Sequence, residues 1–456
     1  MPILPIDSGR YGSKEMREIF EEKIKLKYQL GIEAEVALAQ AKVNLIPSAA
    51  ATDISKNARS EAITLERVKN LEKVTEHDTA AIVEALSERC ASAAKPWVHY
   101  GLTSSDLVDT CMSMQLRDAF QILEPKISKL CLLLIEKAKR YAKTPAVGRT
   151  HGQHASIVSF GLKFAVWVNE LVQDIDRIRE GKKRFLICKT LGVVGTGSFM
   201  GLRAIKVQEI VAQRLGLQPV EAATQVIPRE RLAEVQFILS LIGSTLDKMG
   251  TEIRNLQRTE IGEVQEPFRE GQIGSSAVPV KMNPIKSERV CSLARILRAQ
   301  LTVSLENIPL WHERDLTNSA NERITLPMAL ILLDEMLNVM LNVIDGLKIN
   351  ENRIKDNIKM SAGQIYSEFI LEALIKKGIP RFSAYRLIQK IAFQARDDKE
   401  HLYEAVMKDS IISKTLTNSE LKKIFNAANH LSASGIIITK VENKTMKVVS
   451  KMRTKP

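Results

Sequence analysis

Between Gly274 and Pro284 the chain reads Gly-Ser-Ser-Ala-Val-Pro-Val-Lys-Met-Asn-Pro. The hydroxyls of Ser275 and Ser276, the Lys281 ammonium and the Asn283 amide thus fall within nine residues. A glycine before them and a proline after mark a loop that leads into a helix. Such a loop can carry a base or nucleophile at one end and carboxylate-holding groups at the other. A second polar cluster, Gly148-Arg149-Thr150-His151-Gly152-Gln153-His154-Ala155, sets two histidines in a turn ahead of a long helical pattern. A third, Trp97-Val98-His99-Tyr100-Gly101-Leu102-Thr103-Ser104-Ser105-Asp106, puts hydroxyls where a helix should begin. There Ser105 or Asp106 can be an N-cap, while Thr103 and Ser104, with the open N–H groups of the first turn, can grip a carboxylate. Each cluster also has a plain structural reading: a capping turn, a hydrogen-bonded histidine, a helix start.

Taken together, these segments resemble the fumarase/aspartase superfamily, enzymes that eliminate a group beta to a carboxylate and release a fumaryl product. The loop is similar to that family's GSSxMPxKxNP segment at Gly274, Ser275, Ser276, Pro279, Lys281, Asn283 and Pro284, and departs from it at Val278, Val280 and Met282. The resemblance implies an all-α fold of three regions around a central bundle of long helices. It also implies a homotetramer whose active sites draw on different subunits. Ser275 is then the base for the carbon-bound proton, made competent when the loop closes, with help from Lys281. Ser276, Lys281 and Asn283 bind the substrate, the last two holding the carboxylate that takes up the developing charge, where most of the rate should arise. His151 becomes the general acid for the departing nitrogen, a role worth roughly 10²–10⁴ in rate; His154 has a supporting or structural role.

Other segments narrow the resemblance to the adenylosuccinate lyases. Trp311-His312-Glu313-Arg314-Asp315 and the following Ser319-Ala320-Asn321-Glu322-Arg323 are similar to a signature of that family. So are Arg10-Tyr11, Glu76-His77-Asp78, Thr224-Gln225 and Ser287-Glu288-Arg289. The implied substrates are adenylosuccinate, split to AMP and fumarate, and the succinylated imidazole-carboxamide ribotide of purine synthesis (SAICAR), split to AICAR and fumarate. Such a nucleotide carries about four negative charges near neutral pH. The guanidinium forks of Arg10, Arg289, Arg314 and Arg323 suit phosphate and carboxylate. Tyr11, Glu76, His77, Asp78, Thr103, Ser104, Gln225 and Ser319 complete the implied substrate contacts. No metal or organic cofactor is expected, because the substrate's own carboxylate is the electron sink. Other superfamily lyases, of argininosuccinate or carboxymuconate type, and a catalytically silent helical scaffold are the alternatives.

The elements that must hold these segments are helical by pattern. Aromatics make up 5% of the 456 residues, and Leu, Ile, Ala, Lys and Glu dominate, which favours long helices. From Arg229 to Val264 no proline interrupts apolar residues at Val235, Ile238, Leu239, Ile242, Leu246, Met249, Ile253 and Leu256, the spacing of one helix face. Similar stripes run over 156–178, 287–305 and 326–344, and helices of this length are best stabilised in a bundle. Texture divides the chain at 1–103, 104–358 and 359–456, the last with shorter helices and a basic tail from Lys440 to Lys455. Glycines 192, 195, 197 and 201 read as an irregular connection rather than a dinucleotide loop. The five cysteines, Cys90, Cys111, Cys131, Cys188 and Cys291, have no metal-ligand spacing and read as buried thiols of a cytoplasmic protein. No secretory signal and no bilayer-spanning run is expected. The net charge of +13 is dispersed, without aromatics beside the basic clusters, which argues against nucleic acid and suits a polyanionic small substrate.

Overall fold

A computed structural model describes residues 4–453; Met1, Pro2 and Ile3 of the N-terminal segment and Lys455 of the basic tail lie outside them. The fold is all-α. Five helices dominate: Ser104–Arg140, Phe160–Phe185, Glu230–Leu256, Ile285–Glu306 and Ser319–Gly346. Among the described residues, strands occur as two-stranded ladders: Pro145–Thr150 antiparallel to Gln153–Ser159, Ile187–Cys188 parallel to Gln218–Pro219, and Val264–Gln265 antiparallel to Lys348–Ile349.

The eight apolar positions expected to line one face of the Glu230–Leu256 helix are all buried. Its 27 residues span about 40 Å, shorter than the proline-free run allowed, because the chain leaves the helix at Gln257 and turns through Gly262 at φ +62°. Two expectations are corrected. The stripe begun at Ser156 is strand as far as Ser159 and becomes helix only at Phe160. Ser105 is not an N-cap: it lies buried inside the Ser104–Arg140 helix, and Asp106 reaches back to accept from the Thr103 amide at 2.9 Å. The stretch Ser319–Asp345 is long and apolar enough to cross a bilayer by composition. Most of its apolar residues, with Leu330, Leu333, Met336 and Leu337 fully buried, instead face the protein interior, while Ile324 is exposed.

The chain divides into two compact units. The first comprises Met1–Ile127, Asp174–Leu246 and Ser292–Asn338. Helices Glu22–Lys42, Ser48–Asn57, Leu65–Thr75 and Asp78–Arg89 build a core there from Leu30, Ile54, Ala81 and Leu86. The Leu65–Thr75 helix starts on Thr64, whose hydroxyl accepts from Arg67 N, and stops at Glu76 in the left-handed region. His77 then caps the next helix, its ring accepting from the Ala80 amide. The glycine cluster is the irregular connection expected, but a two-residue strand precedes it. All four glycines have positive φ, and at Gly195 a side chain would meet the Ala223 carbonyl oxygen at 2.1 Å.

The second unit comprises Ser128–Gln173, Asp247–Cys291 and Val339–Pro456. Its C-terminal helices bury Ile370, Leu374, Ile388, Leu402 and Leu421. Thr417 and Glu420 form a reciprocal capping box that starts the Asn418–Ile424 helix. Part of the expected tail is helix, Ser432–Arg453.

Candidate functional site

His151 occupies the apex of the hairpin Pro145–Thr150/Gln153–Ser159. Thr150 pairs with Gln153, leaving a two-residue loop of His151 at φ +53° and Gly152 at φ +75°. Positive φ at both positions is the requirement of the turn that matches strand twist. Glycine meets it freely, and histidine is among the residues tolerated there. The hairpin is seated on Val147 and Ile157, which pack with Ile358, Ile365 and Tyr366. At its neck Arg149 donates to the buried Glu263 carboxylate at 2.7 Å, and Asn357 donates to the same oxygen at 2.8 Å. His154 faces Arg149 across the ladder. Partial desolvation and that guanidinium lower its pKa against the opposing pull of Glu263; His154 and His151 are both exposed at this end of the hairpin.

The 274–284 loop belongs to the same unit. Ser275 Oγ accepts from the amides of Ala277 at 3.4 Å and Val278 at 3.2 Å. Two N–H groups aimed at one hydroxyl oxygen stabilise negative charge on it. The Asn283 amide donates to the Gly274 carbonyl at 2.9 Å, closing the loop at its base. Gly274 is required there, since a side chain would meet the Lys281 carbonyl oxygen at 2.1 Å. Below the loop, the Glu266 carboxylate, itself buried, accepts from Lys286 N at 3.2 Å and Ser287 N at 2.7 Å, the first turn of the Ile285–Glu306 helix that carries Arg289. Val278, Val280 and Ser276 are exposed at the tip. Lys281 and Asn283 line a cavity of about 1050 Å³ with Arg254, Arg258 and Lys348.

The first unit holds the remaining expected residues. His77, Thr103 and Ser104 line a cavity of about 490 Å³. His99 lines it too, with φ +57° and Nδ1 at 2.6 Å from the buried Glu33 carboxylate. Burial alone would lower the His99 pKa, but Glu33 outweighs it and raises it. This pair was missed from sequence: the partners are 66 residues apart, and no spacing signals it. Asp106 fixes the floor beneath Thr103, accepting from the Gly192 amide at 3.0 Å and from the buried Lys189 ammonium.

Arg314 donates to Gln225 Oε1 at 2.9 Å, joining two of the expected substrate contacts. Arg323 and Asp78 join two more at 3.0 Å; burial raises the Asp78 pKa, but Arg323, the Thr79 amide and Lys25 together outweigh it and hold the carboxyl below its usual value. Ser319 opens the helix that carries Arg323. That helix is tied down by Glu322, 3.2 Å from Arg229, which in turn donates to Asp109 at 2.9 Å. Burial pushes Glu322 up to about 7. Arg10 is exposed and Tyr11 half-buried in the segment before the first helix, which is pinned by the Ser13 amide donating to Asp334 at 2.8 Å. Glu76 is exposed at its helix end. Among the described residues no group of three or more His, Cys, Asp or Glu side chains could hold a metal ion.

This arrangement puts an exposed imidazole and a hydroxyl held by two amides on one unit, and paired arginines, hydroxyls and two histidines on the other. Comparisons with known proteins give the family of the chain. Residues 9–297 match a lyase family, and residues 363–441 match the adenylosuccinate lyase C-terminus. The chain is 43% identical to the adenylosuccinate lyase of Pyrococcus abyssi, over 97% of this chain and 98% of that one. It is 40% identical to that of Methanocaldococcus jannaschii, over 98% and 96%. Among solved structures, the 3-carboxy-cis,cis-muconate lactonizing enzyme from Pseudomonas putida superposes with a TM-score of 0.88 at 28% identity, covering 98% of this chain and all of that one. A fumarate lyase from a Mesorhizobium species gives 0.88 at 28% identity, covering 97% and 100%.

Proposed function

This chain belongs to the adenylosuccinate lyase family, and on that footing we propose that it cleaves adenylosuccinate to AMP and fumarate, and SAICAR to AICAR and fumarate. The near-full-length identity to adenylosuccinate lyases, well above that to the lactonizing enzyme, carries the choice of substrate.

The residues then divide the work. Ser275 removes the proton from the carbon beta to the departing nitrogen. Its alkoxide is favoured by the Ala277 and Val278 amides and by the charge of Lys281 once the loop closes. Lys281, Asn283 and Ser276 hold the succinyl carboxylate as it becomes an aci-carboxylate. His151 protonates the leaving nitrogen from its turn. Arg10, Tyr11, Gln225, Arg289, Arg314, Ser319 and Arg323 bind the nucleotide and its phosphate. Thr103 and Ser104 bind a carboxylate through their hydroxyls with His77 beside them, and Glu76 and Asp78 contact other parts of the substrate.

The active form is a homotetramer with composite sites. What supports this is a run of exposed apolar side chains on the first unit: Phe237, Ile296, Leu305, Trp311 and Ile324. Covering side chains of this size with a second copy of the chain removes apolar area from water and favours association. Five buried cysteine thiols favour a reducing, cytoplasmic setting. The test is purified protein with adenylosuccinate, followed by absorbance as the purine loses its substituent. Turnover supports the reading; turnover of argininosuccinate or a carboxymuconate lactone alone overturns it.

A further inference from the structure

We infer that Gln257 is a positioning residue for the reaction, clamping the root of the 274–284 loop so that Lys281 and Asn283 stay in register with Ser275. The inference rests on the function proposed above and concerns a residue outside the expected set.

Gln257 is the first residue past the Glu230–Leu256 helix and uses both ends of its amide. Its Nε2 donates to the Met282 carbonyl at 2.9 Å, and its Oε1 accepts from the Glu266 amide at 2.9 Å. Gln265 reinforces the first contact, its Nε2 standing 3.0 Å from Met282 Sδ. Met282 lies between the two carboxylate-holding residues, and Asn283 is in turn bonded to the Gly274 carbonyl beside Ser275. One amide therefore joins the helix end, the Glu266 segment that starts the next helix, and the loop's functional root. The tip is different: among the described residues Ser275 Oγ bonds to amides of its own loop, and Val280 is 84% exposed. The root is fixed and the tip is open to move. Met282, a departure from the family pattern, is the side chain that Gln265 holds.

The test uses the full-length enzyme in three forms: parent, Q257L and Q257E. Loss of two hydrogen bonds at the root lowers kcat in Q257L roughly tenfold or more, with helical content and Tm near those of the parent. Q257E keeps the acceptor for Glu266 N but turns the other oxygen against the Met282 carbonyl. Its activity relative to the parent rises as pH falls, because the protonated carboxyl regains the donor; a residue that merely fills space gives no such pH dependence. A probe on V280C, the exposed cysteine among buried thiols, tumbles faster in Q257L. Parent-like kcat in both variants overturns the inference, as does a pH-independent ratio for Q257E, which also decides the matter should Q257L fail to fold. If the parent itself does not turn over adenylosuccinate, the function is wrong. If it does and Q257L matches it, only the clamp is wrong.

Discussion

Replacing His151 with asparagine separates proton transfer from the shape of the turn that performs it. His151 sits at φ +53° in a two-residue loop, and asparagine tolerates that conformation whereas alanine is strained there by roughly 1–2 kcal/mol. H151N should keep the parent Tm, while H151A should melt lower. Both lose the imidazole, so both should lose a factor of roughly 10²–10⁴ in kcat, equivalent to about 3–5 kcal/mol of barrier. The assay is the absorbance change of adenylosuccinate at saturating substrate, run beside thermal melts. The reasoning fails if H151N keeps more than a tenth of the parent rate. It fails equally if H151N is near normal and H151A alone is dead, because turn geometry and not the imidazole would then be the requirement.

Removing the Ser275 hydroxyl in S275A should nearly abolish turnover with circular dichroism unchanged, as stopped assays with concentrated enzyme will show. G274A forces a methyl group against the Lys281 carbonyl oxygen, so kcat should fall at least tenfold while Tm holds, since the strain is confined to an exposed loop. Because Glu322 is raised by burial to about 7, its contribution to stability is full below its ordinary value and is lost as pH rises through about 7. The Tm of E322Q relative to the parent should therefore climb across that window; a difference that is flat or falls with pH contradicts it. With about four negative charges on the substrate facing Arg314, Arg323 and their neighbours, KM should rise with ionic strength more steeply than kcat falls.

The helical stripes were legible because burial writes itself into spacing: all eight positions named on the Glu230–Leu256 face are in the core. The hairpin under His151 was not, because its strands are short and its turn demands positive φ, which histidine seldom signals. The Ser104–Arg140 helix carries Pro125 inside it, and proline reads as a break unless tertiary packing overrides it. For the candidate site, resemblance picked out residues that the fold does pair, Gln225 with Arg314 and Asp78 with Arg323. Contacts such as His99 with Glu33 and Gln257 with Met282 depend on chain segments meeting in space, and no local pattern announces them.

The most direct check is a crystal structure of S275A with adenylosuccinate bound in the assembled enzyme. Position 275 and the His151 ring should lie on opposite sides of the scissile C–N bond, each within about 3.5 Å of the atom it serves. Finding both on one side, or His151 turned away from the nitrogen, would contradict the division between base and acid.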